Sequence, residues 1–202
     1  MKKKKDEKIH ELKVILVGNS GVGKTNLINV LTGRKFEQSI MTTTISTYVE
    51  KKMEMGNKKY NLEIWDTAGQ EKFHSLTKLF IKESRIVLFV YDITDKNSFT
   101  EIKSWVKIVK EVLDDKFVMG LAGNKKDLFL KEVINEVKGK EKAKEIGAIF
   151  KLTSAKEGEG IHELMESLLK EYIKRLNAGE FQDLDTSSKL DIKKAKKKRK
   201  CC

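Results

Sequence analysis

The stretch Gly18-Asn19-Ser20-Gly21-Val22-Gly23-Lys24-Thr25 constrains this chain more than any other. It fits the pattern G-x-x-x-x-G-K-[ST], and each fixed position has a physical reason. Glycines at 18 and 23 let the backbone take positive φ and wrap close to a phosphate with no Cβ in the way. Consecutive N–H groups then point inward as a nest, at the start of a helix whose positive end favours the same anion. The candidates for that cradle are Asn19, Ser20, Gly21, Val22, Gly23, Lys24, Thr25 and Asn26. Lys24 brings a full positive charge to the outer phosphates, and the Thr25 hydroxyl can ligate Mg²⁺. An apolar, β-branched run at Leu12–Val17 leads into the motif, and a helical segment, Thr25–Leu31, leaves it to close at Gly33. That context separates a phosphate loop from an accidental glycine-rich turn.

Charge is concentrated at the two ends. Of the net +12 over 202 residues, residues 1–8 carry +3 and residues 189–200 carry +7, which leaves a nearly neutral body. A nucleic-acid binder would carry its basic patch on the fold, so that class is disfavoured. The two cysteines, Cys201 and Cys202, are the last two residues and cannot staple a core, which suits a reducing compartment. The basic start is not followed by an apolar stretch of signal-peptide length. The longest strongly apolar run, Ile86–Tyr91, is far too short to span a bilayer. A cytosolic protein is expected, unless something anchors it.

After a basic arm at 1–8, strands are expected at 12–17, 48–55, 60–65, 85–92, 117–122 and 148–152. Gly56-Asn57 makes the second and third of these a hairpin. Helical faces follow at 97–113, 132–146 and 161–176, the last with Ile161, Leu164, Met165, Leu168, Leu169, Tyr172 and Ile173 on one side. Residues 34–47 have no clear period and read as a loop. The alternation predicts an α/β domain over 9–176, a six-stranded, mostly parallel sheet with one antiparallel edge strand and helices on both faces. Residues 177–202 read as a polar linker and a basic tail. Ligands in such sheets bind outside the carboxyl ends of the strands, and each polar motif directly follows a strand.

The second motif is Asp66-Thr67-Ala68-Gly69-Gln70. Asp66, at a strand end, can hold Mg²⁺ directly or through its water shell. Gly69 can offer its N–H to a terminal phosphate, and Gln70, both donor and acceptor, can orient an attacking water. The third is Asn124-Lys125-Lys126-Asp127. A carboxylate at 127 accepts both N–H donors of a guanine edge, which adenine lacks, so it selects the base. The stem of Lys125 can lie over the ring. The fourth, Thr153-Ser154-Ala155-Lys156, can present backbone N–H groups to the guanine oxygen.

In this order the four motifs resemble those of small GTPases of the Ras superfamily, over about residues 9–176. Trp65–Phe73 and the terminal Cys-Cys resemble the Rab family. The resemblance implies the P-loop GTPase fold and a GTP/GDP switch with slow hydrolysis. It implies Lys24 on the outer phosphates, Thr25 on Mg²⁺, Asp66 reaching the metal through water, and Gln70 orienting the nucleophile. Phe36 stands where the family places an aromatic against the guanine, and Ser20 lies beside the γ-phosphate. Family spacing from Lys24 and from Asp66 both make Thr43 the threonine that meets metal and γ-phosphate, with Thr44 as runner-up. Nucleotide contacts thus fall to Asn19–Asn26, Phe36, Thr43, Gly69, Asn124, Lys125, Asp127, Ser154, Ala155 and Lys156.

The chain departs from the Rab pattern at Ile45-Ser46-Thr47-Tyr48 and at Leu79-Phe80-Ile81-Lys82-Glu83, both facing effectors. The family also implies geranylgeranylation of Cys201 and Cys202. Its partners are an exchange factor, an activating protein, a GDP-dissociation inhibitor, the escort and prenylation machinery, and effectors. With the run Lys193–Lys200, two lipid chains would hold the protein on an anionic, cytosol-facing membrane in vesicle traffic, beside a cytosolic pool. A different class, a guanine-nucleotide-binding adaptor with little or no turnover, is separated from the enzyme by a turnover assay.

Overall fold

The computed structural model describes residues 9–41, 43, 46–67, 74–114 and 116–181. From β1 (Ile9–Val17) the chain passes through α1 (Lys24–Leu31), β2 (Thr47–Met55), β3 (Lys58–Asp66), α2 (His74–Ile81) and β4 (Ile86–Asp92). It continues through α3 (Lys96–Thr100), α4 (Ile102–Leu113), β5 (Val118–Asn124), α5 (Glu136–Ile146), β6 (Ile149–Leu152) and α6 (Ile161–Asn177). Successive residues of β1 part company: Leu12, Val14 and Leu16 enter one hydrophobic cluster, Ile15 and Val17 another. Every residue of β4 is buried, and it divides the same way, Leu88 and Val90 to the first cluster, Phe89 and Tyr91 to the second. Strands apolar on both sides need helices on both faces. Leu27 of α1 and Leu164 to Tyr172 of α6 cover the first face, while Trp105 of α4 and Ala143 of α5 pack on the second.

The six strands lie in the order β2-β3-β1-β4-β5-β6. The edge strand β2 runs antiparallel to β3, and the other pairings are parallel. This is the expected α/β fold with its antiparallel edge. The order turns at β1, which has β3 on one side and β4 on the other. A topological switch of that kind opens a crevice at the strands' carboxyl ends, where Gly18 begins the phosphate loop.

The structure departs from the sequence reading in four places. The helix expected over 97–113 is two, because Asp95 caps a short α3 with its side chain on the Asn97 N–H and α4 begins afresh at Ile102. The helix expected from Glu132 begins at Glu136, where Asn135 accepts from the Lys138 N–H at 3.0 Å. Before it, Lys126–Lys131 is a 3-10 turn. Helix α2 has no counterpart in the reading. Finally, the packed chain runs past 176: Phe181 is buried and stacks on Tyr172 at a centroid distance of 5.6 Å.

Candidate nucleotide site

The two glycines of the phosphate loop are needed for different reasons. Gly23 has φ +96 and stands at the N-cap of α1, with the Asn124 carboxamide so close that a Cβ would come within 2.5 Å of Nδ2. Gly18, with φ +147, lies against β4, and a Cβ there would meet the Val90 carbonyl oxygen at 2.2 Å. Its first service is thus to the sheet, since a side chain would push the loop off the neighbouring strand. Asn19 accepts from the Trp105 indole N–H at 3.1 Å, which ties the loop to α4.

Lys24 is buried, and its ammonium donates to the carbonyls of Gly18 at 2.8 Å and Asn19 at 2.9 Å. Burial pushes its pKa down to about 8, partly opposed by the Asp66 carboxylate. Beside it three oxygens converge. The Thr25 hydroxyl donates to Asp66 Oδ2 at 2.7 Å and lies 3.0 Å from the Thr43 hydroxyl, which donates to the same Oδ2 at 3.3 Å. Burial holds the Asp66 carboxyl above its ordinary range, against the Thr25 hydrogen bond, the Lys24 charge and the Thr43 hydrogen bond. Its other oxygen, Oδ1, is buried without a hydrogen-bond partner. A buried ammonium beside an under-satisfied carboxylate and two hydroxyls fits an anion and a hard divalent cation bound together.

The far end of the cleft is built by Asn124. Its Nδ2 donates to Val22 O at 2.8 Å, and its Oδ1 accepts from the Thr153 hydroxyl at 3.2 Å and the Ala155 N–H at 3.3 Å. One buried amide thereby fastens the phosphate loop to the third and fourth motifs, and it also lines the cleft. Val22 itself is core. Lys125 sits at φ +66, its ammonium 2.7 Å from Asp92 Oδ2. Asp127 accepts from the Ser154 hydroxyl at 2.6 Å. The Ser154 N–H goes instead to Glu159 O at 3.0 Å, so Ser154 reaches the base end through its hydroxyl.

One cleft joins these ends: Ser20, Gly21, Lys24, Thr25, Asn26 and Thr43 line it toward the phosphate loop, Phe36, Lys125, Asp127, Ala155 and Lys156 toward the base motif. Gly69, Gln70, Cys201 and Cys202 lie outside the described residues, as does Thr44. Three features were missed from sequence. Gln38, Ile40 and Met41 also line the cleft, and their loop has no periodic signal. Glu37 meets the Asn26 side chain through its backbone, which sequence does not reveal. Asp92 ends β4 as Asp66 ends β3 and Asn124 ends β5, so the strand-end rule could have singled it out.

A mostly parallel sheet, a glycine-turned loop from an inner strand and a buried lysine at a helix N-terminus define a P-loop nucleotide-binding protein. The model of the Ras family matches residues 13–174. The chain is 37% identical over 171 residues to the human Ras-related protein Rab-21, covering 85% of this chain and 76% of that protein. It is 39% identical over 158 residues to Rab-21 of Geodia cydonium, covering 78% and 69%. With human Rab-31 it shares 40% over 163 residues, covering 81% and 84%. The chain belongs to the Ras family of small GTPases, within its Rab group. It binds GTP and GDP, hydrolyses GTP, and acts as a switch in membrane traffic.

Proposed function

We propose that the cleft performs this cycle with the residues it gathers. The observation that carries the reading is the meeting of Thr25, Thr43 and Asp66 beside Lys24, with Asp127 at the other end of the same cleft. Lys24 sits on the outer phosphates, and the loop N–H groups from Asn19 to Asn26 wrap them. Thr25, Thr43 and Asp66 would hold Mg²⁺, which when bound would neutralise phosphate charge. Asp127 reads the guanine edge, braced by Ser154, while Lys125 and Phe36 flank the ring, with Ala155 and Lys156 beside it. Gly69 donates its N–H to the γ-phosphate, and Gln70 orients the water that attacks in line, so the work is positioning. Loss of the γ-phosphate frees Thr43 and Gly69, and that release is the signal.

No Arg or Lys lies between Phe36 and Tyr48 to supply charge in cis. Turnover is therefore on the order of 10⁻⁴–10⁻³ s⁻¹, raised about 10⁵-fold by an activating protein. An exchange factor, a GDP-dissociation inhibitor and effectors act on the same switch. Cys201 and Cys202, prenylated through the escort machinery and helped by the Lys193–Lys200 run, hold the protein on an anionic, cytosol-facing membrane.

Single-turnover hydrolysis by the purified chain tests the catalytic reading: slow phosphate release that depends on Mg²⁺ and is abolished in Gln70→Leu supports it. An unchanged rate in that variant removes Gln70 from the mechanism. Membrane retention of a Cys201→Ser, Cys202→Ser protein in cells would remove lipidation as the anchor.

A further inference from the structure

Asn26 follows Thr25 in the first turn of α1, yet its side chain is bound to the loop that comes after the helix. Its Nδ2 donates to the Glu37 carbonyl at 2.9 Å, and its Oδ1 accepts from the Glu37 N–H at 3.0 Å. A carboxamide satisfies both backbone groups of one residue at once. Serine, threonine and aspartate cannot, since none combines a free N–H₂ donor with a second acceptor at that reach. Two residues before Phe36 lies another tie from the same helix, for the Arg34 N–H donates to Asn29 O at 2.7 Å. Phe36, more than a third exposed, thus stands between two clamps rather than in a core that would hold it.

Further along the loop the fastening is of another kind. Among the described residues from Gln38 to Ser46, Thr43 is the one whose side chain bonds back to the body, and it does so at Thr25 and Asp66. That contact lies at the phosphate end of the cleft, where the proposed γ-phosphate and metal would meet it. The Asn26 clip joins side chain to backbone and owes nothing to the γ-phosphate.

We propose that Asn26 is a positioning residue that holds Arg34–Glu37 still and thereby keeps Phe36 in place on the base pocket, so that GDP and GTP are retained alike while the loop around Thr43 switches. This rests on the guanine-nucleotide reading of the cleft given above.

The test is release of fluorescently labelled GDP, and of a labelled non-hydrolysable GTP analogue, from the full chain into excess unlabelled nucleotide. Asn26→Ala is expected to release both up to about 10-fold faster and by the same factor, the upper end of what losing two exposed hydrogen bonds can do. Asn26→Asp keeps the acceptor but sets a carboxylate against the Glu37 carbonyl, and releases at least as fast. Because the clip acts through Phe36, adding Asn26→Ala to Phe36→Leu should change release by less than about 2-fold.

Wild-type rates in Asn26→Ala overturn the proposal. So does an acceleration confined to the GTP analogue, or one that persists in full in the double variant. A wild-type chain that fails to retain labelled GDP would instead overturn the reading of the cleft itself, and the two failures are thereby distinct.

Discussion

The Lys125 ammonium lies 2.7 Å from Asp92 Oδ2, so the last residue of β4 supports the lysine of the base-recognition turn that follows β5. Asp92 is itself fixed, because its Oδ1 accepts from both the N–H and the hydroxyl of Thr94, at 2.8 and 2.7 Å. Lys125 takes a left-handed backbone, φ +66, to reach it. The carboxylate is nearly buried and the lysine about one-third exposed. The pair directs the lysine more than it adds to stability.

Asp92→Asn is therefore expected to weaken GDP binding by about 10-fold, the scale of one charge-assisted contact. In a Lys125→Ala background the same change should add almost nothing, because the carboxylate acts through that amine. Titration of labelled GDP into the four proteins of the cycle measures both. Additive losses would mean that Asp92 supports the site by some other route.

Lys24 gives a pH dependence with a definite sign. Its ordinary pKa of 10.5 falls to about 8 through burial. Between those values the folded, nucleotide-free protein binds fewer protons than the unfolded chain, so its stability rises with pH across the window. Phosphates favour the ammonium, so nucleotide binding runs the other way and takes up a proton above pH 8. GDP affinity should be flat from pH 6.5 to 7.5 and fall by up to about tenfold per pH unit above 8. Calorimetry in two buffers of different ionisation enthalpy counts the proton directly. Zero uptake at pH 8.5 would show that Lys24 is still charged there in the free protein.

The motifs were legible because each demands particular residue types at fixed spacing, and the fold was legible because β4 and its neighbours are apolar without alternation. What escaped was set by contacts between distant segments. The start of α5 depends on Asn135 reaching the Lys138 N–H, which leaves Val133, inside the expected helix, exposed ahead of it. Asn124 reads as a base contact in its motif, but its partners Val22 and Thr153 are 102 and 29 residues away. Phe181 follows a polar stretch and carries no local pattern, so only its packing partners reveal it.

The glycines separate conformational strain from collision. At Gly33, φ is +82 but a Cβ would meet nothing within 4 Å, so Gly33→Ala should cost about 1–2 kcal/mol, the price of a left-handed residue. Gly18→Ala adds a methyl 2.2 Å from the Val90 carbonyl, where the neighbour is backbone and cannot swing aside. It should cost more than about 4 kcal/mol, or prevent folding. Urea unfolding of the two variants orders them, and equal losses would refute the collision.

Phe181 carries the packing of the described chain past the end of α6. Its ring stacks on Tyr172 of α6 at 5.6 Å, and the Arg85 guanidinium lies over it at 5.8 Å. Arg85 immediately precedes β4, so these contacts bind the chain beyond α6 to the end of the sheet away from the nucleotide. Phe181→Ala should lower stability by about 2–3 kcal/mol, below the full range for a core phenylalanine because the site is at the rim. Arg85→Ala should then cost less in that background than alone, since its cation–π partner is gone. Trimming the chain after residue 180 should lower the unfolding midpoint below that of a chain trimmed after residue 181, by the Phe181→Ala loss. Equal midpoints for the two truncations would place the end of the folded body at α6 and release Phe181 to the tail.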